Sequence, residues 1–222
     1  MIDINHLIDQ AIAQVTQDFR LNPQIYFTEE DVRWRLMKNL EAELDRQGQL
    51  VIPLRDGKTS VIHGEYPTPF RCSMANRSFK LEGIESQARR GHYDIALLNP
   101  SAVKQCAFKV VRSQYYRDFL RELPQLPLPF LDCIIEVKLY RDLAHPNRTE
   151  SAQHQAEYGL QDVKKVVGAL DPQQTYYNQP FARRGIVLML DSSHLDCNGN
   201  VQEAREKFKH IFEQETDCSL LP

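Results

Sequence analysis

The stretch Phe130-Leu-Asp-Cys-Ile-Ile-Glu136-Val-Lys138-Leu-Tyr140 decides the fold. It is short, rich in β-branched and apolar side chains, entered from a proline-rich segment and closed by charged residues, which predicts a buried strand. Side chains alternate along a strand, so Glu136 and Lys138 share one face while Ile135, Val137 and Leu139 take the other. Charged groups at the end of a buried strand are costly to desolvate unless they are paired, hydrogen-bonded or bound to a metal. A surface ion pair on an edge strand would account for them. A chemical role needs a second carboxylate nearby.

The chain supplies Asp94, in Arg89-Arg-Gly-His-Tyr-Asp94-Ile-Ala-Leu-Leu98. A glycine-containing polar turn runs into an apolar strand over 94–98, with Asp94 at its mouth. If that strand lies beside the one at 130–139, Asp94 meets Glu136. Two carboxylates, the carbonyl of Val137 and waters then suit Mg²⁺ or Mn²⁺. Lys138 stands beside such a metal, placed to orient or deprotonate a water or to neutralise charge on a phosphate. Two other acid-x-Lys triplets lack this setting. Asp56-Gly-Lys58 sits in a turn, and Asp162-Val-Lys164 lies in a helical pattern, where residues two apart do not share a face.

Asp94 with Glu136-Val137-Lys138 resembles the core of the PD-(D/E)xK phosphodiesterases, the superfamily of many restriction endonucleases, junction resolvases and recombination nucleases. The resemblance spans roughly residues 28–191; Tyr93 stands where the eponymous proline would be, and 41 residues separate Asp94 from Glu136. The long separation implies an insertion at 101–129 between two core strands. The resemblance implies an α/β, restriction-endonuclease-like fold, a central mixed sheet flanked by helices. It also implies metal-dependent hydrolysis of phosphodiester bonds, with DNA as the nucleic-acid substrate. Superfamily members often hold a glutamate of the first core helix over the metal, and Glu29 in Glu29-x-Asp31-Val32 is similar. Glu29 shares a helical face with Val32, Leu36 and Leu40, although the helix dipole alone also favours acids in a first turn. A nuclease-fold module that has lost catalysis and binds nucleic acid or a protein is the alternative.

The rest of the chain reads around this centre as a single domain over 1–222, with an N-terminal helix appended in 1–27. Apolar residues from Ile4 to Phe19 form one helical stripe, ended by Asn22-Pro23, which packs on the core or on a partner, a second copy included. Thr28-Glu-Glu-Asp31 resembles a capping box and starts a helix running to about Gly48. A hairpin is predicted from Gln49–Leu54 through Asp56-Gly57 to Ser60–Glu65. Residues 67–88 are mixed. After Glu136 a polar loop with His145-Pro146-Asn147 leads to a helix over 149–170 and a buried strand at 184–191, a crossover that makes the two strands parallel. An amphipathic helix closes the chain at 201–216.

The 222 residues carry a net charge of −3, which excludes a basic nucleic-acid coat. A nuclease needs only a local positive surface, for which Arg71, Arg77, Lys80, Arg89, Arg90, Arg112, Arg117 and Arg121 are candidates. Interleaved arginine and tyrosine over 112–121 suit a nucleic-acid backbone and bases as well as they suit a surface helix. Five scattered cysteines, without a C-x-x-C pair, read as reduced thiols of a cytoplasmic protein. No apolar run has the length of a membrane span.

Overall fold

The computed structural model describes residues 4–75, 78–82, 87–112, 129–140, 151–171 and 179–192. The deciding stretch forms strand β6, Leu131–Tyr140, with every residue from Leu131 to Val137 buried. Burial on both faces explains its continuous apolar run, because only a strand covered on each side has no polar face to show.

Two helices open the chain. Helix α1, Ile4–Leu21, buries Leu7, Ile8, Ala11, Val15 and Phe19, and helix α2, Glu29–Arg46, buries Val32, Leu36, Leu40 and Leu44. They pack on each other, with Arg35 and Asp18 paired at 3.0 Å along the seam. The α1 stripe thus belongs to the chain's own core. Helix α2 starts on the expected box: Asp31 donates its N–H to the Thr28 side chain, and Thr28 N–H donates to Asp31 Oδ2 at 2.8 Å. It stops at Gly48, whose φ of 65° lets the N–H of Gln49 reach Leu44 O at 2.8 Å.

The hairpin is shorter than the sequence predicts. Strand β1, Val51–Leu54, pairs with β2, Gly57–Ser60, and the turn is Arg55-Asp56 rather than Asp56-Gly57. Among the described residues only Gly48 is a glycine with positive φ, so Gly57 serves as an ordinary strand residue. Residues from Ile62 onward leave the hairpin and enter the main sheet as β3, Ile62–Ala75. Strand β4, Ser78–Glu82, follows and pairs antiparallel with β3. These two strands take up 67–75 and 78–82 of the stretch that had read as mixed. Pro67 and Pro69 obscured them, and the sheet accommodates both at a break in register between Pro67↔His92 and Arg71↔Arg90. Gly91 lies against this break, where a Cβ would stand 2.6 Å from Cys72 Sγ and 2.8 Å from Thr68 Oγ1.

Strand β5, Arg89–Leu98, begins five residues before Asp94, which therefore sits within a strand and not at its mouth. Two short helices follow, α3 at Pro100–Val103 and α4 at Phe108–Val111. Tyr66 Oη donates to Val111 O at 2.8 Å and ties α4 to β3. The remainder of the predicted insertion, including Arg117 and Arg121, lies outside the described residues, as do His145-Pro146-Asn147 and the helix predicted at 201–216. Helix α5, Ser151–Leu170, then connects β6 to β7, Ala182–Asp191.

The five-stranded sheet has the order β4-β3-β5-β6-β7, with β5–β6 antiparallel and β6–β7 parallel. Strands 94–98 and 130–139 are thus neighbours, and β6 is an inner strand, which removes the edge-strand reading of Glu136 and Lys138. Two glycines show how the helices are layered. Gly64, level with Ile95 and Ile135, faces Met37 of α2, whereas Gly185, level with Ile134, faces Val166 and Leu170 of α5. Adjacent strand positions point to opposite faces, so α1 and α2 cover one side and α5 the other. The result is a mixed α/β sheet flanked by helices. No helix among the described residues is long and apolar enough to cross a membrane.

Candidate active site

The β5–β6 ladder ends at Ile95↔Ile135. One step further the same register sets Asp94 opposite Glu136, so the two carboxylates stand where the strands part. Asp94 takes over the role of a ladder acceptor: its Oδ2 receives the N–H of Val137 at 2.7 Å. Its Oδ1 lies 3.6 Å from Arg33 Nη1 of α2. Glu136 points to the α5 side and is 1% exposed.

Lys138 and Glu136 do not pair with each other. Lys138 Nζ lies 3.0 Å from Asp162 Oδ2 of α5 and 3.3 Å from Glu29 Oε2 at the start of α2. Glu136 Oε1 instead faces Lys165 Nζ of α5 at 2.8 Å, and that ammonium also reaches Asp162 Oδ1 at 2.8 Å and the His92 carbonyl at 3.3 Å. Arg33 closes the network on the α2 side through ion pairs with Glu30 and Glu65. Six carboxylates thereby surround three cationic groups.

The sequence-predicted residues are therefore gathered, with additions. Asp94 and Glu136 meet across the strands, Val137 enters through its N–H, and Glu29 joins through Lys138. Asp162, Lys165, Arg33, Glu30 and Glu65 come as extra members. Four of these carried a signal: Asp162 and Lys165 share a helical face at i,i+3, as do Glu30 and Arg33. Glu65 had no local signal. It lies level with Asp94, between Gly64↔Ile95 and Tyr66↔Tyr93, and holds a φ of 51°. A left-handed backbone in a glutamate is a strained choice that surrounding contacts must hold in place.

Electrostatics differ sharply between the groups. Burial pushes the Glu136 carboxyl well above the usual carboxylate range; Lys165 opposes that shift, while Asp162 and Asp94 add to it. Burial works against the Lys138 ammonium, yet Asp162, Glu29 and Asp94 outweigh it and raise its pKa. For Lys165 burial is likewise outweighed, by Glu136 and Asp162. Both lysines are therefore held as cations. Lys138 suits holding a phosphate oxygen or orienting a water; accepting a proton in this state, the other role the sequence left open, is disfavoured. Burial pushes the Cys72 thiol up to about 11 and that of Cys133 to about 12, so neither offers a thiolate near neutral pH.

The carboxylate pair has the chemistry of a hard divalent cation site, and Glu136 Oε1 is a buried oxygen with no hydrogen bond of good geometry. Among the described residues no trio of His, Cys, Asp or Glu stands close enough to hold a metal. A bound Mg²⁺ would then keep several waters, its common habit at sites of one or two carboxylates. A cleft of about 540 Å³, lined by Glu65, Tyr66, His92 and Arg112 among others, opens on the β3 side. Of the predicted basic surface, Lys80, Arg89 and Arg112 are exposed, whereas Arg71 donates to Ala88 O at 2.8 Å and holds the entry to β5. Arg77 and the side chain of Arg90 lie outside the described residues. No protein-family model matches this chain, and neither a curated protein nor a solved structure matches it.

Proposed function

We propose that this chain is a divalent-metal-dependent nuclease that hydrolyses phosphodiester bonds in DNA, built on a restriction-endonuclease-like, PD-(D/E)xK framework. The observation that carries the reading is the meeting of Asp94 and Glu136 at the parting of β5 and β6, with Lys138 two residues along. Asp94 and Glu136, with the carbonyl of Val137, are the residues that would hold Mg²⁺ or Mn²⁺. Held there, the ion supplies charge for the phosphate and an acidified water. Lys138 meets a non-bridging phosphate oxygen, and Glu29 positions Lys138 from the helix side. The cleft lined by Glu65, His92 and Arg112 is where this reading lays the nucleic-acid backbone.

A second reading is a nuclease-fold module without catalysis that binds nucleic acid or a protein. It is favoured by the pairing of Asp94, Glu136 and Glu29 with Arg33, Lys165 and Lys138. Incubation with supercoiled plasmid, single-stranded DNA and RNA, in Mg²⁺, Mn²⁺ or EDTA, separates the two. Metal-dependent cutting of DNA supports the nuclease. Binding without cutting under every condition supports the module.

A further inference from the structure

Resting on the metal-site reading above, we propose that Lys165 is a resident counter-cation on Glu136, which an entering divalent ion displaces onto Asp162. Glu136 is 1% exposed, and among the described residues Lys165 is the cation on its carboxylate, at 2.8 Å. A buried carboxylate left without a counter-charge is strongly destabilising or takes up a proton, so Glu136 stays ionised in the metal-free chain only with a cation at this place. A divalent ion taking Glu136 Oε1 would be repelled by an ammonium 2.8 Å from that oxygen. One of the two cations must leave.

The geometry points to where the ammonium goes. Lys165 Nζ is already 2.8 Å from Asp162 Oδ1, one helical turn back, and that carboxylate side chain is 6% exposed. A lysine carries a point charge on a long flexible stem, so a small swing moves it off Glu136 without leaving it unpaired. The helix itself is not the moving part. Gly168 lies flush against the sheet, where a Cβ would stand 2.3 Å from Leu81 Cδ1 and 3.1 Å from Phe70 Cε1. Metal uptake is thus an exchange of cations on Glu136, and α5 sets the affinity of a site whose ligands lie on β5 and β6.

The test is calorimetric titration of Mn²⁺ into the metal-free full chain, for wild type, Lys165→Met, Asp162→Asn and the double variant. Lys165→Met should bind Mn²⁺ about tenfold more tightly, the order expected for removing one partly buried opposing charge. Asp162→Asn should bind more weakly, because Glu136 is then the one carboxylate left to Lys165 among the described residues. That penalty should shrink markedly in the Lys165→Met background, whereas simple loss of a negative charge would give the same penalty in both. Equal or weaker binding by Lys165→Met, or an undiminished Asp162→Asn penalty, overturns the exchange. Should Lys165→Met fail to fold, Lys165→Gln, which removes the charge and keeps a polar side chain, takes its place in the cycle. If neither wild type nor the Lys165 variant takes up Mn²⁺, the metal site itself falls and the exchange with it. Uptake by wild type without coupling in the cycle removes the exchange alone.

Discussion

Replacing Asp94 by alanine separates two effects of opposite sign in the metal-free protein. Removing a carboxylate level with Glu136 relieves like-charge repulsion, on the order of 1 kcal/mol for a pair that water and Arg33 partly screen. It also leaves the Val137 N–H without its 2.7 Å acceptor, at a residue that is 0% exposed. A hydrogen bond to a charged group contributes about 1.5–3 kcal/mol, so the lost bond should win by roughly 0.5–2 kcal/mol. For a chain of this size that lowers Tm by about 1–8 °C. Asp94→Asn keeps an oxygen for Val137 while removing the charge, and should stay within about 2 °C of wild type. Thermal unfolding followed by circular dichroism in EDTA reads both. An alanine variant as stable as wild type, or an asparagine variant that falls as far as alanine, would refute the assignment of Asp94 to the main chain of β6.

Further outcomes follow from the same geometry. Gly185→Ala would set a Cβ 2.2 Å from Val166 Cγ1 and should cost about 1–3 kcal/mol by urea denaturation; adding Val166→Ala should restore most of it, and no recovery would displace α5 from that face. The raised pKa of Glu136 contributes stability that is complete below the ordinary carboxyl range and is lost as pH rises through the raised value. Glu136→Gln should therefore gain on wild type as pH climbs above the ordinary carboxyl range in EDTA, and a difference that stays constant with pH would contradict its burial as a titrating group. Lys138→Ala should spare Mn²⁺ binding and slow cleavage, since its partners are Glu29 and Asp162 and not the proposed metal ligands; lost binding would move Lys138 into the ligand shell.

The centre of the fold was legible because Phe130–Val137 is buried on both faces, and a continuous apolar run is how such a strand reads. The α2 cap was legible for a related reason, since Thr28 and Asp31 interact locally and need nothing distant. Strands β3 and β4 were not. Their prolines are tolerated at a register break that only the pairing with β5 creates, and Gly91 is needed there because Thr68 and Cys72 come close. In the site, alternation alone brought Glu136 and Lys138 to one face, yet it suggested that they serve each other. Their actual partners, Lys165 and Asp162, lie on a helix whose placement depends on the crossover. Glu65 is level with Asp94 only through the β3–β5 register, a relation between residues 29 apart in sequence that no local pattern records.

The rate of DNA cleavage by Asp94→Asn, compared with wild type in Mg²⁺ and Mn²⁺, tests the central claim most directly, because this variant keeps the β6 contact and removes only the charge. A metal-holding carboxylate at Asp94 predicts wild-type cleavage that EDTA abolishes, and a loss of about 10²-fold or more in the variant at unchanged thermal stability. Cleavage by Asp94→Asn at the wild-type rate, or no metal-dependent cleavage by wild type on any DNA substrate, would contradict it.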